Sequence, residues 1–379
     1  MSSTADRTIR MTYGTDGRAM AIALLEAHDA IRLVPAGAPV ALKPNLVVAR
    51  PASGGATTHP EIVRGAIEYL RDHGVRDITI MEGSWVGDST RRAFDRCGYA
   101  DLARRYGVGL VDLKEDETRA VDTPIGPIQV CVRVLETGFL LNLPVLKGHC
   151  QTLMTCALKN LKGCIADSEK RRFHTMGLHR PIAALAAAIR PALTLVDSLC
   201  GDHGFEEGGD PVVTNRLYIG EDPVQLDVLG CRLLGLDPDL VAYIALSEKY
   251  GAGSMSLTGK DVLEIGSSAG SSLGSASVSH DGADGSSSHE NVPWEIREDM
   301  ACSACSAALA RALDTLRREG ADLSRLPPLS IGQGYRDRPV VGIGLGKCAN
   351  DVATAGKAGQ SSCPPTSEEI LEILREALA

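Results

Sequence analysis

The sequence predicts an α/β fold, a large, mainly parallel-sheet α/β domain followed by a small α/β four-cysteine domain. Three observations lead there. Short runs rich in Val, Ile and Leu alternate with stretches of helical spacing, which is the rhythm of parallel strands joined by crossover helices. A Ser/Gly-rich stretch over residues 266–290 cannot bury enough surface to order itself, and reads as a linker or loop. The cysteine pattern changes across that stretch, so the expected units are 1–265, the linker 266–290, and 291–379.

The bulk numbers bound the rest. With 379 residues, 44% hydrophobic and 23% charged, the chain has apolar material for one large or two ordinary domains. A net charge of -9 argues against a nucleic-acid partner, and four phenylalanines with two tryptophans make no base-stacking platform. Any positive site is therefore a small island, and residues 143–180 are one: Lys147, Lys159, Lys162, Lys170, Arg171, Arg172 and Arg180 face only Asp167 and Glu169. MSSTADRTIR has no apolar core of a signal peptide, and the longest apolar stretch, Pro181 to Val196, is broken by Arg190. The expectation is a cytoplasmic protein with no membrane partner. Eleven cysteines without a secretion signal point to metal or thiol chemistry more than to disulfides.

Taken in order, Val40–Val47 is a buried strand interrupted at Lys43-Pro44-Asn45, which makes Lys43 and Asn45 rim residues. His59-Pro60-Glu61 opens a helix on which Ile62, Ala66, Ile67 and Leu70 recur, with Pro60 in its first turn. Asp77–Glu82 is the next strand, Thr90–Tyr106 a helix, Gly107–Leu113 a strand, and Val121–Val134 a hairpin. Gly138–Leu146 is a strand from which Lys147 and His149 emerge, and Leu153–Leu161 reads as the helix that follows. Lys159 and Lys162 are three apart and share one helical face. Asn142 lies in an apolar run, where its amide must find hydrogen-bond partners. Ser168–His174 is a polar segment, a lid or else an exposed loop or helix end. After an alanine-rich helix over Pro181–Arg190, Leu193–Asp197 is a strand ending in a carboxylate. The loop Gly201–Pro211 has acids and a histidine with no regular ligand spacing, and reads as turn chemistry, with a metal site as the lesser alternative. Leu217–Asp227 is a strand and helix start, with Asp222 as N-cap; Asp227, one turn in, could pair with a lysine.

Ligands of open α/β sheets collect at the carboxyl ends of strands. The expected site for a small anionic substrate is accordingly Lys43, Asn45, Asn142, Lys147, Lys159, Asn160 and Lys162. His149 or His59 would move a proton, and Asp197 or Asp227 would orient those groups. Cys150, Cys156 and Cys164 read as core residues, with a second metal site as the rival.

In the last segment, Cys302-Ser-Ala-Cys305 opens a helix over Ala307–Arg318, and Pro328–Gln333 and Val340–Ile343 read as strands. Cys348 follows the second strand, and Cys363-Pro364-Pro365 precedes a helix whose start carries the capping-box pair Thr366 and Glu369. Cys302, Cys305, Cys348 and Cys363 supply the four thiolates that a 4Fe-4S cluster needs. Zinc is the rival, although a second CxxC would be usual there. Gly342-Ile-Gly-Leu-Gly346 is not a dinucleotide fingerprint, so no nicotinamide cofactor is expected, and a flavin stays open.

The ordered set LKPNLV at 42–47, THPEIV at 58–63, NLPVLKGH at 142–149, LKNLKG at 158–163, LVDSLCG at 195–201 and GEDPVQLD at 220–227 resembles the domain-of-unknown-function 362 (DUF362) proteins, a group often associated with iron–sulfur modules. The C-terminal CSAC, GKC and SCPP are similar to a cysteine domain of some members, for which a 4Fe-4S cluster is implied. The chain departs from the group in reading GGDP at 208–211 and in its serine-rich insert. The leading expectation is an iron–sulfur oxidoreductase that exchanges electrons with a small anionic substrate and draws them from an external donor such as a ferredoxin. The alternatives are a non-redox transferase or ligase with a structural metal, and a non-enzymatic electron-transfer subunit.

Overall fold

A computed structural model describes residues 6–266, 295–301, 303–336, 338–349, 363 and 365–378. The proposed linker and Cys302 lie largely or wholly outside them. The chain divides into two compact units, Met1–Ile265 and Gly266–Ala379.

The first unit is built on an eight-stranded sheet. Its chain runs β1 (Ile9–Tyr13), α1 (Gly17–Ala27), β2 (Val40–Pro44), α2 (Pro60–Asp72), β3 (Ile78–Glu82), α3 (Thr90–Arg96), α4 (Tyr99–Tyr106) and β4 (Gly109–Asp112). A two-stranded hairpin follows, β5 (Thr118–Val121) with β6 (Ile128–Cys131), then the short α5 (Val132–Leu135) and β7 (Phe139–Leu143). A second small hairpin, β8 (Lys147–His149) with β9 (Leu153–Thr155), leads into α6 (Ala157–Asn160), α7 (Asp167–Thr175) and α8 (His179–Ala188). The unit closes with β10 (Leu193–Asp202), β11 (Pro211–Gly220), α9 (Pro223–Leu233), α10 (Ala242–Lys249) and β12 (Val262–Glu264). The sheet order is β12-β1-β11-β10-β7-β2-β3-β4, parallel except where β11 runs against β1 and β10.

Strand periodicity sorts the core into two layers. Val40, Leu42, Leu141, Leu195 and Ile219 face the α1 and α2 side, while Ala41, Leu140, Val196 and Tyr218 face α6, α8 and α9. Helix starts follow their sequence signals. Pro60 occupies the first turn of α2, and the Asp222 carboxylate accepts from the amides of Val224 and Gln225 at the head of α9.

Several expectations are corrected by local chemistry. The helix expected over Leu153–Leu161 begins only at Ala157, because Leu153 (φ 65) to Thr155 pair with Lys147–His149 as a strand. The helix expected over Thr90–Tyr106 is two, broken at Gly98, whose φ of 80 no helix tolerates. Ser168–His174 is no loop but lies within the helix α7, and it is not wholly exposed, since Phe173 and Lys170 are buried. Asp197 does not end its strand; β10 continues to Asp202.

The second unit holds a three-stranded parallel sheet of β13 (Ile296–Glu298), β14 (Leu329–Ile331) and β15 (Ile343–Leu345), with α11 (Ser303–Arg318) and α12 (Ser367–Leu378). Its core is its own: Leu309, Ala312, Leu316, Ile331, Leu345, Ile370 and Leu374 pack together. The capping box at α12 forms as expected, with the Thr366 amide on Glu369 (2.8 Å) and the Glu369 amide on Thr366 Oγ1 (3.1 Å).

Candidate functional site

At the carboxyl ends of β2, β3 and β7 the polar residues assemble into a connected chain. Lys43 is fully buried, and its ammonium lies 3.0 Å from both Glu82 oxygens and from Pro44 O. Glu82 also accepts from the amides of Leu46 and Gly83. Asn160 donates to the Lys43 carbonyl (3.3 Å) and to Asn142 Oδ1 (2.8 Å), and Asn142 donates to Ala157 O (3.0 Å). Lys43, Asn142 and Asn160 therefore brace the sheet edge. Lys43 is no rim residue, and its donors are spent on protein oxygens.

Lys147 is equally committed. Its Nζ donates to Ala56 O (2.5 Å), Glu206 O (2.8 Å) and Asn45 Oδ1 (3.4 Å), which matches the three N–H groups of an ammonium. Burial, then the charge of Lys159, brings its pKa down to about 7. Lys147 thus clamps the loop that carries Glu206, while Asp202 holds the same loop by accepting from the amides of Gly204, Phe205 and Asp210. Asp227 does not pair with a lysine. Its carboxylate receives the amides of Ala157 (2.7 Å) and Leu158 at the head of α6, and burial pushes its pKa up to about 7.

Two lysines remain. Lys159 is half-buried, and among the described residues its ammonium has no hydrogen-bond partner. Burial lowers its pKa to about 8 against the opposing charge of Glu206. Lys162, also half-buried, has His174 Nε2 at 3.4 Å. Burial first, then Lys159 and Lys170, holds it well below the ordinary lysine value. His174 is pushed down to about 2 by burial and both lysines, so it stays neutral and accepts from Lys162.

His149 stands against this pair. Its Nδ1 accepts from the amides of Gln151 (3.1 Å) and Thr152 (3.3 Å), which leaves the ring proton on Nε2, 3.3 Å from Glu206 Oε1. Burial and the neighbouring lysines hold its pKa well below 6.5. His149, Cys150 and Glu206 place one ligand atom each within 4.8 Å of one another, a spacing that could hold a metal ion. The surrounding charge opposes a cation there, since the lysines outnumber the one carboxylate, and His149 would have to give up its Nε2 proton. Cys150 differs in this from Cys156 and Cys164, which are fully buried as expected. Glu206 was not foreseen at the site, because it comes from the loop taken for turn chemistry.

His59 and Asp197 lie on the other face of the sheet. Asp197 alternates with Val196 and so points to the α2 layer, where its Oδ2 receives both the His59 amide and Nδ1 at 2.8 Å. Burial opposes a charged ring, but the Asp197 hydrogen bond and charge prevail and raise its pKa to about 10. The two predicted histidines are therefore not alternatives for one task.

In the second unit, Cys305 is buried, Cys348 half-buried and Cys363 exposed, while Cys302 falls outside the described residues. Gly346 (φ +77) joins their segments. A Cβ there would lie 3.7 Å from Cys305 Sγ and 3.3 Å from Pro365, two residues beyond Cys363. The left-handed φ is what calls for glycine here, and it brings the turn before Cys348 against the Cys305 sulfur and Pro365. A separate groove of about 680 Å³, lined by Asp112, Glu115, Asp116, Glu117 and Glu136, shares no residue with the lysine cluster.

Fold and site define a cysteine-rich α/β protein with a cationic cluster at the carboxyl edge of a mainly parallel sheet and a triad spaced for a metal. Residues 40–232, just over half of the chain, match the model of the family described as "Domain of unknown function (DUF362)", and the chain belongs to that family. It is 26% identical over 219 residues to the thylakoid-associated protein sll1697 of Synechocystis sp. (strain ATCC 27184 / PCC 6803 / Kazusa), spanning 56% of this chain and 68% of that one. Among solved structures, the lactate racemase apoprotein from Thermoanaerobacterium thermosaccharolyticum aligns with a TM-score of 0.40 and 13% identity, over 61% of this chain and 58% of the other, less than two thirds of its length. Among the described residues no helix is long and apolar enough to cross a membrane.

Proposed function

We propose that the chain is an iron–sulfur oxidoreductase of the cytoplasm that holds a small anionic substrate at Lys159 and Lys162. The observation that carries the anion site is the Lys159 ammonium, half-buried, beside a second half-buried lysine and without a hydrogen-bond partner among the described residues. Two half-buried lysines side by side call for a counter-charge, and Glu206 alone does not balance them. The neutral His149, with its Nε2–H on Glu206, is the proton-holding pair coupled to these lysines. Lys43, Asn45, Asn142, Asn160 and Lys147 position the edge on which they stand. Cys302, Cys305, Cys348 and Cys363 would hold a 4Fe-4S cluster, and the approach of Gly346, two residues before Cys348, to Cys305 Sγ and to Pro365 supports that assignment. Such a cluster supplies one-electron transfer, with an external donor such as a ferredoxin.

Two measurements test this reading. Metal and acid-labile sulfide analysis of anaerobically purified protein should give about four iron and four sulfide per chain, as a cubane requires, and Cys305→Ser should lose them. Calorimetric titration with inorganic phosphate should show binding that Lys159→Gln weakens by roughly tenfold or more, the loss of one charge-assisted hydrogen bond. Binding unchanged in Lys159→Gln would refute the anion site. A second reading, a non-redox enzyme with a metal at His149, Cys150 and Glu206, is favoured by the spacing of those ligand atoms. About one zinc without sulfide, lost on Cys150→Ser, would select it.

A further inference from the structure

Cys200 completes an arrangement that neither the lysine cluster nor the four-cysteine segment uses. Its sulfur lies 4.0 Å from His59 Nε2, on the ring whose Nδ1 is 2.8 Å from Asp197 Oδ2. Asp197 is fixed in turn, since Oδ2 also receives the His59 amide and Oδ1 the Leu199 amide (3.0 Å). The register shift in β10 between Ser198 and Cys200 gives the thiol its place beside α2, two residues before the strand ends. Cys200 also lies 3.4 Å from Ala52 O, so a thiol proton has a resting acceptor when it is not shared with His59. The His59 side chain is 24% exposed, so the pair meets solvent on one side.

We propose that Cys200, His59 and Asp197 form a second reactive centre, in which the Cys200 thiol accepts an acyl group from a small activated ester or thioester. The three parts that acyl transfer asks of side chains are present: a soft nucleophile, an imidazole within reach of it, and a buried carboxylate that orients the imidazole. Asp197 orients His59 so that Nε2 faces the Cys200 sulfur, and in the reactive state the one proton shared by that pair sits on Nε2. The sulfur attacks the acyl carbon and a C–S bond forms. The bond from that carbon to the leaving oxygen or sulfur breaks, and His59 gives its Nε2 proton to the leaving group. Cys200 ends as a thioester, with no oxidant or reductant consumed. The narrow exposure of Cys200, 6%, restricts the acyl donor to small molecules.

The chain contains its own control. Cys97 is buried to the same degree, at 5%, but its sulfur faces the carbonyls of Val48 and Arg50 and the Thr57 hydroxyl, with no histidine. p-Nitrophenyl acetate added to the intact protein should release a burst of nitrophenolate and leave an acetyl group on the Cys200 peptide by mass spectrometry. Cys200→Ala should abolish that acetylation, and His59→Gln should slow the burst by about a hundredfold or more, the usual worth of a positioned acid–base group. Acetyl found only on lysines or on other thiols would overturn the proposal, as would an unchanged burst in a His59→Gln protein with wild-type circular dichroism. If His59→Gln does not fold, iodoacetamide labelling of the wild type decides. Cys200 should be alkylated before Cys97, and equal rates would overturn it.

Discussion

Lys43 and Lys159 stand on the same edge of the sheet and differ in what surrounds the ammonium. Lys43 has two carboxylate oxygens and a carbonyl at 3.0 Å, whereas Lys159 has no hydrogen-bond partner among the described residues. Removing one partner of a buried pair strands the other charge, so Lys43→Met should cost about 3–5 kcal/mol in urea denaturation. Lys159→Gln removes an unbalanced charge and should leave stability unchanged or raised in the same assay. His59 makes a prediction in pH. Its folded-state pKa is about 10 against 6.5 unfolded, so the folded state binds the extra proton between those values. The stabilisation is therefore complete below about pH 6.5 and lost as the pH rises toward 10, and His59→Gln should flatten that decline. At this scale the sequence marked Lys159, Lys162 and His149 through their clustering. It did not mark Glu206 or Cys200, because each reaches its partner across more than fifty or a hundred residues of chain, and nothing local signals such a meeting. Lys43 read as a rim residue because Pro44 suggested a strand end, yet Pro44 still pairs in register with Leu143 and keeps Lys43 covered.

The turn after α6 is the element that ties the buried pair to the lysine cluster. Gly163, one residue beyond Lys162, passes so close that a Cβ there would meet Glu82 Oε1 at 1.9 Å and Lys43 Nζ at 2.6 Å. Gly163→Ala must push the ion pair apart or the turn away. It should destabilise the protein by about 3 kcal/mol in chemical denaturation and weaken phosphate binding through Lys162, although it deletes no polar group. Gly148 does the same for the opposite wall, where a Cβ would lie 2.1 Å from His203 O. The alternation of strands and crossover helices from β2 to β4 was legible, because buried parallel strands are short apolar runs and amphipathic helices are not, whereas β1 and α1 went unread. The stretch from Leu153 to Leu161 was not, since apolar residues at short range suit a buried strand and a helix alike. Leu153 at φ 65 turns the chain into the hairpin with β8, and Asp227 starts α6 only at Ala157.

For the molecule as a whole, two cores with no residue in common predict two unfolding events. Differential scanning calorimetry should resolve a large and a small transition, and Cys305→Ser should lower only the small one. One merged transition, shifted as a whole by that substitution, would contradict it. The capping box at α12 was readable because it is a local signal. The meeting of Cys305, Gly346 and Pro365 was not, for it depends on how α11, β15 and the segment before α12 fold together. β12 lies parallel beside β1, with Val262 opposite Ile9 and the Ile265 amide on the Met11 carbonyl. The unit thus enters and leaves on adjacent strands, like a bead whose thread passes through neighbouring holes. Joining Glu264 to Ile9 by a linker of about six residues, and opening the chain at the exposed turn near Gly126, should give a circular permutant with the parent's circular dichroism spectrum. A unit closed in this way can acquire or shed a neighbouring module without breaking its own sheet.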